Sequence, residues 1–499
     1  MLRIYNSLSR AVEDFKPIDP DNVRVYTCGP TVYDFAHIGN FRTYTTSDLL
    51  LRILAYNKYK VTYLMNLTDV GHLTGDNQGD ADSGEDRLEK SAKKEGKTAW
   101  EVAAFYADAF LKDYEKLNLT KPLKFVKATD HVPEQIELIQ ILEKKGYTYT
   151  ISDGVYFDTA KFPNYGQLSD LDEIKEGARV EVNPEKKNPR DFALWKFSPE
   201  GEKRPASSAE GMTGEAPASQ RGERQRRQME WASPWGVGFP GWHIECSAMS
   251  MKYLGNHFDI HVGGMDLKST HHPNEIAQSE AATGETFVNY WVHGAFMLVA
   301  GERMSKSLSN NYKIYDLEKQ TLPAGRQGLD PLALRYLYLQ THYRQEMNFT
   351  FQALEAAQQA LTHLRNEIIE LSKSSQLDAG CAEFETQFLE AINDDLNTPQ
   401  ALAVVWEMLK SDYPNYAKLT SLLKFDSVLG LDLANAGSTT NEVLLDAVPA
   451  HVRQMIEERE VFRKNKHFGQ ADHMRNRIKK EGFEVIDGKK GLQIKKVVS

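Results

Sequence analysis

Two short motifs have the residue types needed to handle phosphate. His37-Ile38-Gly39-Asn40 sits where a short apolar run gives way to a helical one, and Arg303-Met304-Ser305-Lys306-Ser307 lies far downstream in a polar stretch. A helix N-terminus offers unpaired N–H groups and the positive end of a dipole to a phosphate. Gly39 permits close approach of the backbone. His37 and Asn40 can donate to phosphate oxygens as charge develops in a transition state, and Lys306 supplies a compact positive charge suited to a pyrophosphate leaving group. Either motif alone also fits an ordinary helix start or a solvated loop. A third feature is GWHIECSAM, Gly241 to Met249, which spends one of only three cysteines in 499 residues on an apolar, helix-forming run. A lone thiol in such a place is ordinarily small core filler.

The elements around these motifs predict an α/β sheet. VRVYTCG (Val23–Gly29) reads as a buried strand, a loop follows, and Leu49, Leu50, Ile53 and Leu54 recur at helical spacing before a second strand, YKVTYLMNLTD. Strand–loop–helix–strand is the start of a parallel sheet, which binds nucleotides at the carboxyl ends of its strands. Residues from about 120 to 200 mix short strands such as Gly154–Asp158 with loops and read as an insertion. Sheet-like runs resume at His257–Gly264 and Phe287–Gly294, and from Phe351 to about Leu423 the pattern is that of a helical bundle. After a linker, Ala434–Thr440, come two basic helices and a hairpin turning at Gly488. Glu200–Glu230 and Thr321–Asp330 contain few large apolar residues and read as surface inserts.

Composition narrows the class. No run of eighteen or more apolar residues occurs, the first residues lack the apolar core of a signal peptide, and an odd cysteine count makes no disulfide framework. A cytoplasmic protein with reduced thiols is expected. Net charge is −10, but His451–Ser499 carries thirteen Lys and Arg against seven Asp and Glu. A small basic module on an acidic body can bind a polyanion locally.

HIGN and RMSKS together resemble the two signatures of the class I aminoacyl-tRNA synthetases. More closely, YTCGPTVYDFAHIGN, NLTD, GWHIECSAMSMKYLGNHFDIHVGGMDL, HHPNEIAQSE and ERMSKS are similar to the cysteinyl-tRNA synthetase family. The resemblance runs from about Leu2 to Asp316 and on to the C-terminal tail, leaving out the two inserts. It implies a Rossmann-type catalytic domain in two halves (1–118 and 229–300) around a connective insertion (119–200) and a disordered insert (201–228). It implies next a signature-loop and stem-contact region (301–345), a helical bundle (346–433) and a small α+β anticodon-binding module (441–499).

The resemblance further implies one Zn²⁺ per chain held by Cys28, Cys246, His271 and Glu275, with His272 the competitor for the imidazole role. Two thiolates, an imidazole and a carboxylate suit that ion, and His271 and Glu275 share a face if their segment is helical. Cysteine differs from serine by one atom, and an apolar pocket separates such near-isosteres by only ~1–3 kcal/mol. A soft metal that prefers thiolate over hydroxyl acts as the selectivity filter instead. By the same resemblance Gly29, Thr68, Trp242, His261 and Asp266 contact the amino acid, although Asp266 also fits a helix cap or a turn. ATP with Mg²⁺ meets His37, Gly39, Asn40, Arg303, Met304, Ser305, Lys306 and Ser307; of these His37, Asn40 and Lys306 are the catalytic candidates.

Four places depart from the common pattern. Asn40 stands where many class I synthetases carry a second His, although Asn occurs in this family too. Arg303 replaces the Lys that often opens the second signature. The stretch after Asp69 differs from its common continuation. Ile494 stands where related chains often carry Trp, which leaves anticodon discrimination to hydrogen bonds and shape more than to stacking.

The implied activity joins L-cysteine to the 3′ end of cysteine tRNA through cysteinyl-adenylate, in a monomer with no membrane partner. A cysteine–amino-sugar ligase of the same fold and an inactive RNA-binding relative are the rivals. The basic tail speaks against the first and the intact signatures against the second. Lys306→Ala is expected to slow adenylate formation by ~100-fold or more, because developing pyrophosphate charge loses its partner. Pyrophosphate exchange measures this, and an unchanged rate would remove Lys306 from the chemistry.

Overall fold

The computed structural model describes residues 1–71, 73–74, 85–169, 183–198, 227–304, 308–319, 328–373, 378–436, 448–488 and 491–496. At its centre five parallel strands lie in the order Val288–Gly294, Phe258–Gly264, Val23–Thr27, Val61–Leu67, Lys124–Lys127. Val25, Tyr26, Leu64, Ile260 and Val262 are buried, as strands covered on both faces require. The first strand of the sheet, Val23–Thr27, lies in the middle, with the chain running out to both sides of it. Strand order therefore reverses there, and the crevice beyond its carboxyl end is where such sheets bind ligands.

The helix Ile38–Tyr56 follows that strand. His37 is its N-cap: its side chain accepts from the Asn40 backbone N–H, while the Asn40 side chain accepts from the His37 N–H. This reciprocal box satisfies two of the donors left open at a helix start. The helix is buried on most sides, including the charged Arg42 and Asp48. It fits between the sheet and the helices Pro331–Leu339, Phe351–Ser372, Ala382–Asn393, Thr398–Lys410 and Asn415–Leu429. Leu354, Leu361, Leu364, Ile368 and Leu371 give the longest of these an apolar face at helical spacing.

A second sheet has the antiparallel order Trp231–Ser233, Gly236–Pro240, Phe192–Phe197, Gly154–Phe157, Thr148–Ile151. Its make-up corrects two expected boundaries. Residues 231–240, assigned from sequence to the catalytic half beginning at 229, pair with the insertion. Lys124–Lys127, assigned to the insertion, is the outer strand of the parallel sheet. Both segments are too short for their apolar pattern to reveal which sheet they join.

The inserts need a further correction. Residues 199–226 and 320–327 lie outside the described residues, as do 437–440 of the expected linker. Arg227, however, is not surface loop, whereas Gln228 is exposed as expected. Arg227 is buried, pairs with Asp86, donates to the Gly71 carbonyl (2.8 Å) and stacks over Phe239. Gln228 accepts from the Ala99 N–H (2.7 Å).

The C-terminal module comprises helices Ala450–Lys464 and Phe468–Lys480 and a hairpin, Phe483–Gly488 with Gly491–Lys496. Its core includes Val452, Ile456, Met474, Ile478, Val485 and Ile494. Ile494 is thus a packing residue facing inward, and the position offers no stacking surface.

Asp48 and Arg335 form a fully buried ion pair (2.5 Å) between the central helix and the bundle. Burial alone would raise the Asp48 carboxyl; the Arg335 and Arg52 guanidiniums overcome this and hold it below its ordinary value. Asp48→Asn is expected to cost about 3–5 kcal/mol at neutral pH, since it leaves Arg335 buried without its counter-charge. A depressed carboxylate stabilises fully above its unfolded value, ~3.9, and loses that contribution as pH falls through the lower folded value. Denaturant unfolding of both proteins should therefore show a gap that is constant above about pH 5 and closes in acid. A gap independent of pH down to acid unfolding would contradict this account.

Candidate active site and metal centre

A cleft of about 320 Å³ opens at the carboxyl ends of the central strands. Cys28, Gly29, His37, Asn40, Trp242, Asp266 and His271 all line it. One wall is the start of the helix Ile38–Tyr56. There His37 Nδ1 accepts a hydrogen bond, so the neutral imidazole carries its proton on Nε2, the donor a phosphate oxygen needs. Gly39 does not line the cleft. A Cβ on it would come within 2.2 Å of Met304 Cε, so its smallness serves contact between the two signatures. Arg303 ends a short strand, Glu302–Arg303, with its guanidinium 5.5 Å from the centre of the Phe296 ring. Ser305, Lys306 and Ser307 lie outside the described residues.

Cys28 and His271 join the same cleft to a buried cluster that contains a second thiol, that of Cys246. Cys28 directly follows the strand Val23–Thr27, and Cys246 lies in the helix Trp242–Leu254. Their sulfurs are 3.9 Å apart and form no disulfide. His271 and Glu275 are one turn apart in the helix His271–Thr283, with Nε2 and Oε1 3.0 Å apart. The donor atoms of Cys28, Cys246, His271 and Glu275 all lie within 4.8 Å of one another, and all four residues are buried.

The electrostatics of this cluster suit a cation. The hydrogen bond with Cys28 lowers the Cys246 thiol to about 7, while burial holds the Cys28 thiol well up. Burial would raise Glu275, but His261 and His271 keep it ionised, well below its ordinary value. Against the cost of burial, Glu275 and Cys246 raise His271 to about 10. A thiolate and a carboxylate thus share one buried place, and soft sulfur, imidazole and carboxylate donors are those that Zn²⁺ takes. The residues fit that ion.

A second set, Cys28, His261, His272 and Glu275, meets the same distance criterion. It contains one thiol instead of two. Burial and four neighbouring histidines push His272 well down, so it stays neutral. His272 Nδ1 is 2.8 Å from His293 Nε2, and His293 Nδ1 is 2.8 Å from Ser7 Oγ. His261 lies 2.9 Å from Glu275 Oε2 and stacks on Trp291. Such contacts orient ligating side chains from behind.

The predicted amino-acid contacts divide. Gly29, Trp242 and Asp266 line the cleft. Asp266 stands in the first turn of the short helix Met265–Lys268. Thr68 and His261 do not line it. Thr68 Oγ1 donates to Glu245 Oε2 (3.2 Å) and receives a hydrogen bond from Asn66, so both are supports behind the wall. Sequence reading missed Asp34, Arg87, Tyr106 and Lys313, which line the same cleft.

A model of the class I tRNA synthetase (C) catalytic domain matches residues 14–212 and 220–359, and a DALR domain model matches 387–411. Cysteine–tRNA ligase 1 of Burkholderia lata is 44% identical over 99% of this chain and 96% of its own. The chain belongs to the cysteine–tRNA ligase family. The cysteine–tRNA ligase of Treponema denticola is 38% identical over 97% of this chain and 98% of its own. A solved structure of Mycobacterium tuberculosis methionyl-tRNA synthetase with methionyl-adenylate shares the fold at a TM-score of 0.52 and 15% identity, covering 86% of this chain and 94% of that one. A LeuRS–tRNA–LeuAMS complex from Agrobacterium radiobacter does so at 0.55 and 12%, covering 85% of each chain. The family match skips only 213–219, so the Gly/Arg-rich insert lies largely within it.

If the set with both thiols holds the metal, purified protein should contain one zinc ion per chain. Cys246→Ser should lose most of it, and His271→Ala more than His272→Ala. Elemental analysis decides the point; greater loss in His272→Ala than in His271→Ala, with zinc kept in Cys246→Ser, would favour the second donor set.

Proposed function

We propose that this chain is a cysteine–tRNA ligase whose amino acid is selected at a zinc centre. What carries the reading is one cleft lined both by the capped helix start of the first signature and by members of a buried thiol–imidazole–carboxylate cluster. In the first step a carboxylate oxygen of L-cysteine bonds to the α-phosphorus of ATP, and the bond from that phosphorus to the bridging oxygen breaks. Pyrophosphate leaves with the electron pair. In the second step the terminal hydroxyl of cysteine tRNA attacks the carbonyl carbon, and AMP departs.

His37 Nε2–H and the Asn40 side chain stabilise charge on the α-phosphate; Lys306 serves the leaving group. Trp242 and Gly29 shape the amino-acid pocket, and Asp266 receives the ammonium. Cys28, Cys246, His271 and Glu275 would hold Zn²⁺, which supplies a preference for thiolate over hydroxyl. Mg²⁺ accompanies ATP. The remaining rate enhancement is positioning. Every named group comes from one chain, which supports action as a monomer. No helix among the described residues is long and apolar enough to cross a membrane, which agrees with a reaction in the cytoplasm.

The basic C-terminal module is read as the part that meets the anticodon. Phosphate contacts of its lysines and arginines would make tRNA binding salt-dependent. Truncation after Gly437 should leave cysteine-dependent pyrophosphate exchange nearly intact and raise the tRNA concentration needed for charging. Charging of wild-type and anticodon-mutated cysteine tRNA by both forms tests this. Unchanged tRNA affinity and anticodon preference would show that the module is not the anticodon reader.

A further inference from the structure

We propose that Lys313 is a second phosphate-binding cation of the adenylation site, contacting the triphosphate of ATP. The inference rests on the reading of the cleft as a site of ATP-dependent activation. Lys313 is only 6% exposed and lines the same cleft as His37 and Asn40. Its place is set by the first signature itself. The Ile38 N–H donates to the Tyr312 carbonyl (2.9 Å), and His37 and Lys313 face each other in an antiparallel bridge. The next residues hold this segment from the other side: the Lys313 N–H donates to Asp316 Oδ2 (2.8 Å), and Ile314 and Leu317 are buried.

Lys313 pairs through its backbone with the N-cap of a long helix, whose N-terminus is the positive end of the helix dipole and raises the cost of a cation in this part of the cleft. Burial adds a desolvation cost. A polyanion in the cleft relieves both, and of the two substrates of the first step, ATP and L-cysteine, only ATP carries several negative charges on adjacent groups. The lysine is anchored before ATP arrives, so little reorganisation is needed when it binds. Asp34 also lines the cleft, with Oδ1 accepting from the Phe35 N–H. A lysine that only neutralised this carboxylate would not distinguish a nucleotide from a nucleoside.

Calorimetry on the full-length zinc-loaded protein tests the proposal, with Mg²⁺–ATP and with adenosine, both without cysteine. Lys313→Met should weaken ATP binding about 10- to 100-fold, the worth of a charged hydrogen bond, and leave adenosine binding unchanged. Lys313→Arg should recover part of the loss. In pyrophosphate exchange the KM for ATP should rise while the KM for cysteine stays put. Equal weakening of ATP and adenosine, or unchanged ATP binding, would overturn it. Lys313→Gln answers the same question where the methionine variant does not fold. Failure of the wild type to exchange pyrophosphate with cysteine would instead remove the functional reading, which the cysteine-free binding comparison does not touch.

Discussion

The helix Ile38–Tyr56 can present its N-terminus to a nucleotide only if its orientation is fixed, and the fixing is polar. Apolar packing holds it between sheet and bundle but is non-directional. Direction comes from guanidinium forks. Arg42, pushed down to about 10 by burial, donates to the carbonyls of Ala295, Phe296, His342 and Gln345. It thereby joins the helix to the segment that leads into the second signature. Two turns further on, Arg335 spans from Asp48 to the Leu117 and Leu429 carbonyls (3.2 and 2.6 Å), and Arg52 from Asp48 to the Asn118 carbonyl. Gly430 serves this contact as well as the left-handed end of its helix (φ 65°), since a Cβ there would lie 2.5 Å from the Arg335 guanidinium. The capped end is thus tied at three heights.

The thiol side has the opposite problem. Its ionisable groups lie close together, and among the described residues none of them is paired with an Arg or Lys in the way Asp48 is. Balance comes from layered imidazoles: His261 and His271 on Glu275, and behind them His272, His293 and His243. Imidazoles suit the task because each ring can be a donor on one nitrogen and an acceptor on the other. A chain of such contacts sets ring orientation, and it puts no permanently charged Arg or Lys side chain among the donors.

Much of this was legible in the sequence, for reasons that also explain the gaps. The strands Val23–Thr27 and Phe258–Gly264, the capped helix and the bundle announce themselves through long periodic patterns. The four residues of the thiol-rich set were legible only through the family resemblance. Their helix His271–Thr283 is buried almost all round, so periodicity cannot separate His271 from His272. Arg227 was hidden because a buried arginine at the end of a polar run looks like the run itself; its partner Asp86 is 141 positions away. Lys313 was hidden for a similar reason, since its backbone pairing with His37 joins segments 276 residues apart, a contact no local pattern carries.

The corrected extent of the insertion changes what it does for the cleft. Gly236–Pro240 is a strand of the antiparallel sheet, and Gly241 immediately starts the helix that bears Trp242 and Cys246. Gly241 donates to the Leu194 carbonyl (2.9 Å), and a Cβ on it would meet the Ala193 carbonyl oxygen at 2.0 Å. The sheet and helix are therefore pressed together with no room for adjustment. Val132, Leu138, Ile139 and Leu142 of the helix Val132–Lys144 share one apolar core with Phe157, Phe192, Leu194 and Trp195 of the antiparallel sheet. The same core includes Ile244 and Ala248 of the helix that bears Cys246, and Ala277 and Ala281 of the helix that bears His271 and Glu275. The amino-acid side of the cleft is thus built on the insertion, and the nucleotide side on the core shared with the bundle. The two sides meet along the strands Val23–Thr27 and Phe258–Gly264, where Cys28 leaves the sheet only nine residues before His37 caps the helix. A change in the insertion should then be felt first in cysteine selection, and a change in the bundle first in ATP handling, because each is packed against a different wall.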